Sequence, residues 1–166
     1  MSGSAVIRHA RPADHPAIAE INTLAFGQAD EASLIQRLRD NGDVMFELVV
    51  DEAGTLEGHI LYSRLWADNA QLYAALAPMA VRPERQIKGL GSDLVRASLT
   101  TAREFGARGV LVLGHRLYYP KFGFTAEMAT NVRSPYSGSP AFMALEIERG
   151  AFAEPLMVAY PNAFSG

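Results

Sequence analysis

The chain has 166 residues, 49% of them hydrophobic and 20% charged, a length that favours one well-buried core and a single domain over residues 1–166. Its net charge of −3 and the scatter of its 15 basic residues give no basic stripe, so nucleic-acid binding is not expected. The lack of cysteine excludes disulfides, thiolate metal sites and a cysteine nucleophile.

The first half of the chain predicts two helices among short strands. Apolar residues at helical spacing predict a helix over 14–25 and a second one over 30–39. The segment between them, 27–31, is expected to be a loop. Apolar and alternating runs predict strands over 6–7, 46–50 and 58–65, and the last two of these read as an antiparallel hairpin.

The second half predicts one long helix among further strands. The helix covers 90–105, and a shorter helix is expected over 117–122. Apolar runs predict strands over 72–81, 110–113 and 142–148, and strand character also returns at Phe124. A polar loop, 133–140, precedes the last strand. This order predicts an α+β domain with a mixed sheet.

A turn with two glycines joins the strand ending at Val81 to the long helix. The turn, residues 86–91, reads QIKGLG, and its glycines let the backbone approach a ligand closely. The first N–H groups of the helix and its positive dipole end point to the same place, which predicts a pocket for an anion such as pyrophosphate. A Walker loop and a dinucleotide fingerprint fail on spacing, since Lys88 precedes Gly89 and Leu94 stands where a small residue is needed. A tight turn without a ligand is the alternative.

A second motif follows the strand predicted over 110–113. In the stretch YYPKFGF, residues 118–124, Tyr119 stands four residues before Gly123. This fixed spacing, together with the glycine turn, favours a functional role for Tyr119. The alternative is that both tyrosines of this stretch are packing aromatics.

Taken together, the two motifs resemble those of the GNAT superfamily of N-acetyltransferases. They are separated by one predicted helix and one predicted strand, as in that family. The paired tyrosines with Phe-Gly-Phe, and a closing Tyr-x-x-Ala-Phe at residues 160–164, are similar to the bacterial YhbS-like group. The resemblance implies a GNAT-like fold, in which helices flank a mixed, mostly antiparallel central sheet.

The resemblance also implies acetyl-CoA as the acyl donor, together with the residues that contact it. Backbone groups of Met79, Ala80 and Val81 would pair with the pantetheine arm, and the N–H of Val81 or of a neighbour would stabilise the oxyanion. The resemblance implies that the pyrophosphate is wrapped by Gln86, Ile87, Lys88, Gly89, Leu90, Gly91 and Ser92. The Lys88 side chain would add a charge-assisted contact. Tyr119 would lie near the sulfur of coenzyme A and protonate the thiolate.

The general base is less evident. An alkylammonium acceptor has a pKa near 10.4 and must lose a proton before it attacks, yet the strand over 72–81 contains no carboxylate. His115, at the C-terminal end of a buried strand, is the candidate base, with a histidine that satisfies backbone groups as the alternative. His59 lies inside a strand and is expected to be structural. No Gly-x-Ser-x-Gly elbow and no helical pair of metal ligands occurs, so neither a hydrolase triad nor a metal site is expected.

The resemblance implies direct transfer of an acetyl group from acetyl-CoA to a primary amine of a small molecule or peptide. The loops 27–31 and 133–140 would frame the acceptor groove. A non-catalytic acyl-CoA-binding sensor or interaction module is the main alternative, and O-acetylation or a longer acyl chain is also open. The apolar stretch 155–164 is either a core strand or a homodimer contact. The run 74–81 is too short to span a bilayer and no leader pattern is visible, so we expect a cytoplasmic protein without membrane contact.

Overall fold

The computed structural model describes residues 5–86 and 89–165, and the chain forms two compact units. The first unit combines Met1–Tyr62 with Pro78–Ser98, and the second combines Ser63–Ala77 with Leu99–Gly166. Each unit is therefore built from two separate stretches of the sequence. The expectation of a single domain stays a prediction.

The helices and strands follow the predicted order along the chain. In chain order they are β1 (Ala5–His9), α1 (His15–Phe26), α2 (Asp30–Asp40), β2 (Val44–Glu52), β3 (Thr55–Ala67), β4 (Tyr73–Val81), α3 (Leu90–Glu104), β5 (Gly109–Leu113), β6 (Val132–Arg133), β7 (Phe142–Glu146) and β8 (Leu156–Ala159). Short 3-10 turns occur at Pro12–Asp14, Pro83–Arg85, Tyr119–Phe122 and Asn162–Ser165. Across the described part of the chain, no helix is both long enough and apolar enough to cross a membrane.

The strands form a mixed sheet in the order β1-β2-β3-β4-β5-β7, and β8 pairs with both β3 and β6. The pairs β1/β2, β3/β8 and β5/β7 are antiparallel, whereas β4/β5 and β6/β8 are parallel. The parallel pair β4/β5 is joined through α3, which is the long crossover that a parallel connection requires. The predicted α+β class with a mixed, mostly antiparallel sheet is confirmed.

In the first unit, α1 and α2 each present a buried apolar face. The spacing of three residues places each buried pair on one side of its helix, and the four side chains are at most 1% exposed: Ile18, Ile21, Ile35 and Leu38. Strand β1 pairs with β2 from Ala5↔Glu52 to His9↔Leu48. Apolar side chains of β2 add to the core of this unit, among them Leu48, Val49 and Val50.

In the second unit, β5 has a neighbour on each side. It pairs with β7 along all its residues and with β4 through three residue pairs that end at Ala75↔Leu111. Residues 109–112 are buried, as a continuous apolar run between two layers predicts. A cluster of buried side chains around this strand forms the core, including Leu65, Tyr73, Leu111, Phe142, Phe152 and Leu156.

Several predicted boundaries differ from the structure, mainly after β5. The short helix expected over 117–122 is a 3-10 turn over Tyr119–Phe122, because Pro120 supplies no N–H for a longer helix. Beyond Phe124, where strand character was expected, the chain makes one isolated bridge, Thr125↔Ala144, and then turns. The strand expected to reach residue 148 ends at Glu146. The stretch 155–164 was expected to form either a core strand or a dimer contact. It contains the strand β8, and a dimer contact stays a prediction.

Candidate functional site

The C-terminal end of β4 and the turn after it carry the first group of predicted site residues. Ala80 and Val81 are buried, and Met79 is half-buried. The side chain of Gln86 donates from Nε2 to the carbonyl oxygen of Val81 at 3.0 Å. This hydrogen bond ties the turn to the end of the strand, a role that the sequence did not indicate for Gln86.

Two arginines anchor the same turn. The Arg82 N–H donates to the carbonyl oxygen of Glu57 at 2.9 Å, and its guanidinium Nη1 lies 2.6 Å from Oε1 of Glu20. Arg85 forms an ion pair with Glu52. Since carboxylates of the same unit already neutralise both cations, these side chains stabilise the turn. A phosphate bound here would depend mainly on backbone N–H groups.

Helix α3 begins directly after Gly89. This glycine has a φ of 84°, a left-handed conformation that costs a residue with a side chain about 1–2 kcal/mol. Its carbonyl oxygen accepts the N–H of Asp93 at 3.0 Å, a hydrogen bond in the first turn of the helix. The N-terminus of α3, with its positive dipole end, thus follows a glycine turn and fits an anion. Ile87 and Lys88, which were predicted to line this pocket, lie outside the described residues.

The segment after β5 carries the second group. Gly114 donates its N–H to the carbonyl oxygen of Ala141 at 3.0 Å, so the end of β5 contacts the end of the loop before β7. The carbonyl oxygen of His115 accepts the N–H groups of Tyr118 at 3.1 Å and Tyr119 at 3.3 Å. This turn reverses the chain and carries Tyr119 back towards the strand end.

Tyr119 is packed among aromatic rings. Its side chain is 8% exposed, and its ring lies 5.2 Å from the ring of Tyr118 and 5.7 Å from that of Phe124, both edge-on. Within the described residues, its hydroxyl has no hydrogen-bond partner. Burial raises the pKa of Tyr119 above its ordinary value, and the neighbouring Tyr118 raises it further. The phenol therefore stays protonated at neutral pH and can donate a hydrogen bond to a ligand.

Two histidines of the chain differ in their availability. His115 is exposed, and its imidazole makes no hydrogen bond with any residue that the structure describes. His59 is fully buried, with Nε2 2.8 Å from Oε1 of Glu47 and Nδ1 3.1 Å from Nδ2 of Asn22. Because both of its ring nitrogens are engaged, His59 has the structural role that the sequence predicted.

The carboxylate that His59 contacts belongs to a buried polar network. Glu47 also accepts two hydrogen bonds from the guanidinium of Arg39, at 2.8 and 2.9 Å. Burial alone raises the pKa of Glu47, but the hydrogen bonds from His59 and Arg39 outweigh it and hold the pKa at about 2. Burial lowers the pKa of His59, and its bond to Glu47 opposes this only in part, so the ring is neutral and carries its proton on Nε2.

The predicted site residues fall into two groups, one in each unit. Met79, Ala80, Val81 and the turn from Gln86 to Ser92 belong to the first unit, whereas His115 and Tyr119 belong to the second. Leu90 is buried, and Gly91 and Ser92 are half-buried. In the described ranges, no set of three or more His, Cys, Asp or Glu side chains could hold a metal ion. Sequence reasoning did not single out Gly114, whose hydrogen bond to Ala141 had no signal beyond a glycine directly after an apolar strand.

Comparison with known proteins identifies the family. The model of the acetyltransferase (GNAT) family matches residues 12–124, which is more than half of the chain. The chain belongs to the GNAT family of acetyltransferases. The uncharacterized N-acetyltransferase YhbS of Escherichia coli K12 is 30% identical over 146 residues, which cover 87% of this chain and 86% of YhbS. The uncharacterized N-acetyltransferase YjhQ of the same strain is 38% identical over 112 residues, but these cover only 64% of this chain and 62% of YjhQ.

Solved structures of GNAT proteins agree with this assignment. The crystal structure of YhbS from Escherichia coli in complex with CoA has a TM-score of 0.89 and 27% identity, covering 98% of this chain and 93% of that one. A GNAT acetyltransferase from Brucella melitensis in complex with acetyl-CoA has a TM-score of 0.77 and 31% identity, covering 96% of this chain and 97% of that one. The resemblance to the YhbS-like group is confirmed, and with it the GNAT fold.

Proposed function

We propose that this GNAT acetyltransferase moves the acetyl group of acetyl-CoA directly to a primary amine of a small molecule or peptide. Family membership supports acetyl transfer, and the bound CoA and acetyl-CoA of the YhbS and Brucella structures support the donor. The word N-acetyltransferase in the names of YhbS and YjhQ supports an amine acceptor. The chain has no cysteine to carry an acetyl group, which favours direct transfer.

The acyl donor binds along the end of β4 and the start of α3. β4 lies between β3 and β5, and its ladder with β5 ends at Ala75↔Leu111 although both strands continue, so on the β5 side the backbone of β4 beyond Ala75 is not paired with β5. Met79, Ala80 and Val81 pair there with the pantetheine arm. The turn from Gln86 to Ser92 holds the pyrophosphate, which the glycine turn at the N-terminus of α3 supports. A backbone N–H of the 79–81 stretch stabilises the negative charge that develops on the carbonyl oxygen.

Tyr119 donates its proton to the sulfur that leaves. Acetyl-CoA supplies a thioester, whose C–S bond breaks as the amine forms the amide. The protonated hydroxyl on the largely buried Tyr119 side chain is the observation that carries this role, because it is a donor with no partner within the described residues. His115 is the candidate base for the amine, since its imidazole is exposed and makes no hydrogen bond to the described residues.

The loops 27–31 and 133–140 frame the acceptor groove in this proposal. The contact from Gly114 to Ala141 supports it for the second loop, because it joins the end of that loop to the strand that leads to Tyr119. The structure starts α2 at Asp30, so the first loop is shorter than predicted. A cytoplasmic location and a homodimer stay predictions. A non-catalytic acyl-CoA sensor is the second candidate, favoured by the lack of a carboxylate on β4.

Replacing the proposed acid tests this function. The change Tyr119→Phe removes one hydroxyl and keeps the ring, so turnover should fall about 100-fold or more while the dissociation constant for acetyl-CoA changes less than about twofold. Turnover is measured as CoA release with a thiol reagent over a panel of amines, and a chain without cysteine gives no background.

The matched control is Tyr118→Phe, which makes the same chemical change one residue earlier and should leave turnover near that of the wild type. If Tyr119→Phe retains wild-type turnover, Tyr119 is not the acid. If acetyl-CoA binds but no amine supports CoA release, the sensor replaces the enzyme.

A further inference from the structure

The residue directly after β5 lies against the ring of Tyr119. A Cβ atom added at Gly114 would lie 2.6 Å from Cε2 of Tyr119, 3.1 Å from Cδ2 and 3.7 Å from Cζ. Two carbon atoms in van der Waals contact are normally about 3.5–4.0 Å apart. Any side chain at position 114 would therefore overlap the edge of the ring, at the carbon next to the one that bears the hydroxyl.

Neither partner of this contact can move away easily. The N–H of Gly114 is bonded to the carbonyl oxygen of Ala141, which holds the backbone at the end of β5. The Tyr119 ring is buried against Tyr118 and against Phe124, which is itself fully buried. To accept a Cβ, the ring would have to shift by roughly 1 Å to reach an ordinary separation.

From these contacts, we propose that Gly114 is a positioning residue for catalysis: its lack of a side chain sets where the Tyr119 hydroxyl lies. This inference rests on the proposed role of Tyr119 as the proton donor. A misplacement of about 1 Å in a reacting group can cost about 100-fold in rate. In this proposal Gly114 acts through the ring of Tyr119, against which it packs.

The test is a double-mutant cycle with Gly114→Ala and Tyr119→Phe. We expect Gly114→Ala to lower kcat about 10- to 100-fold and to change the dissociation constant for acetyl-CoA less than about twofold. In the double variant, no hydroxyl remains to be misplaced, so its kcat should equal that of Tyr119→Phe alone. Losses that multiply in the double variant, or a folded Gly114→Ala protein with wild-type kcat, would overturn the inference.

A matched control exists at the other end of the same strand. A Cβ at Gly109 would collide with the ring of Phe152 in the core, so Gly109→Ala introduces a comparable overlap away from Tyr119. This variant should lose thermal stability and keep the kcat of its folded fraction. An equal loss of kcat in Gly109→Ala would mean that general destabilisation explains both variants, and the inference would fail.

A second variant covers the case in which Gly114→Ala does not fold. Combining Gly114→Ala with Tyr119→Leu removes the ring that the new Cβ would overlap, so this double variant should fold, and thermal unfolding measures whether it does. If the double variant also fails to fold, overlap with the Tyr119 ring is not the reason why position 114 requires glycine. Failure of the proposed function gives a different result, since Tyr119→Phe would then keep wild-type turnover. If Tyr119→Phe lowers turnover while Gly114→Ala keeps the wild-type kcat, the inference about Gly114 is refuted and the proposed role of Tyr119 stands.

Discussion

Replacing Glu47 with Gln should destabilise the protein strongly at neutral pH. The change keeps the shape of the side chain but removes the charge that Arg39 and His59 contact at 2.8–2.9 Å. The Glu47 side chain is only 8% exposed and that of Arg39 only 12%, so solvent compensates little for the lost pair. Removing one partner of a buried ion pair typically costs about 3–5 kcal/mol.

The pKa of Glu47 gives a second route to the magnitude. Its value of about 2, against an ordinary 4.5, corresponds to roughly 3 kcal/mol at about 1.4 kcal/mol per unit. Because folding lowers this pKa, the contribution is fully present above pH ~4.5 and is lost as the pH falls towards 2. For a chain of this length, about 3 kcal/mol corresponds to a Tm shift of roughly 6–12 °C.

The assay is urea unfolding of wild type and Glu47→Gln at pH 7 and at pH 3.5. We expect a difference in unfolding free energy of about 3 kcal/mol at pH 7 that narrows by about 1 kcal/mol at pH 3.5. Glu154→Gln is the control, because Glu154 is an exposed carboxylate, and it should change stability by less than about 0.5 kcal/mol. A difference below about 1 kcal/mol at pH 7, or one that does not narrow with acid, would refute the reasoning.

Two further predictions concern the turn before α3. Gly89→Ala should lower the free energy of unfolding by about 1–2 kcal/mol, because φ is 84°, and should also weaken acetyl-CoA binding in a calorimetric titration. The control is Gly150→Ala, at a φ of 86°, which should lose similar stability without changing the affinity for acetyl-CoA. Equal losses of acetyl-CoA affinity in Gly89→Ala and Gly150→Ala would contradict a role for the turn in binding. Gln86→Leu removes the hydrogen bond to Val81 and should weaken acetyl-CoA binding about 2- to 10-fold. The control Gln71→Leu, at another exposed glutamine, should leave the affinity unchanged. If Gln86→Leu also keeps the wild-type affinity, the hydrogen bond from Gln86 to Val81 does not contribute to acetyl-CoA binding.

Sequence periodicity predicted the order of elements because each long element buries one apolar face. The helical spacing of apolar residues in α3 indicates only a helix, and the short apolar run of β5 indicates a buried strand. The observed ends of both elements lie within a few residues of the predicted ones. The region after Phe124 was predicted poorly, since its short strands are stabilised by distant partners. β6 has two residues and exists because β8 pairs with it, a contact that no local pattern encodes.

The candidate site was predictable where a motif expresses local chemistry. The glycine turn at Gly89 and the spacing of Tyr119 from Gly123 could be read from the sequence because turn chemistry and the spacing of a motif are local. The left-handed φ of Gly89 is visible only in the structure. The hydrogen bond from Gln86 to Val81 depends on how the turn folds back onto the strand, so the local sequence does not encode it. The same holds for Gly114, whose importance comes from a ring five residues further along the chain.

A calorimetric titration of the purified protein with acetyl-CoA tests the central claim most directly. Every proposed role of β4, the glycine turn and Tyr119 requires that this donor binds. We expect saturable one-to-one binding that is weakened by Gly89→Ala and unchanged by Gly150→Ala. Absence of binding at millimolar acetyl-CoA would contradict both the transferase and the sensor, and only the fold would stand.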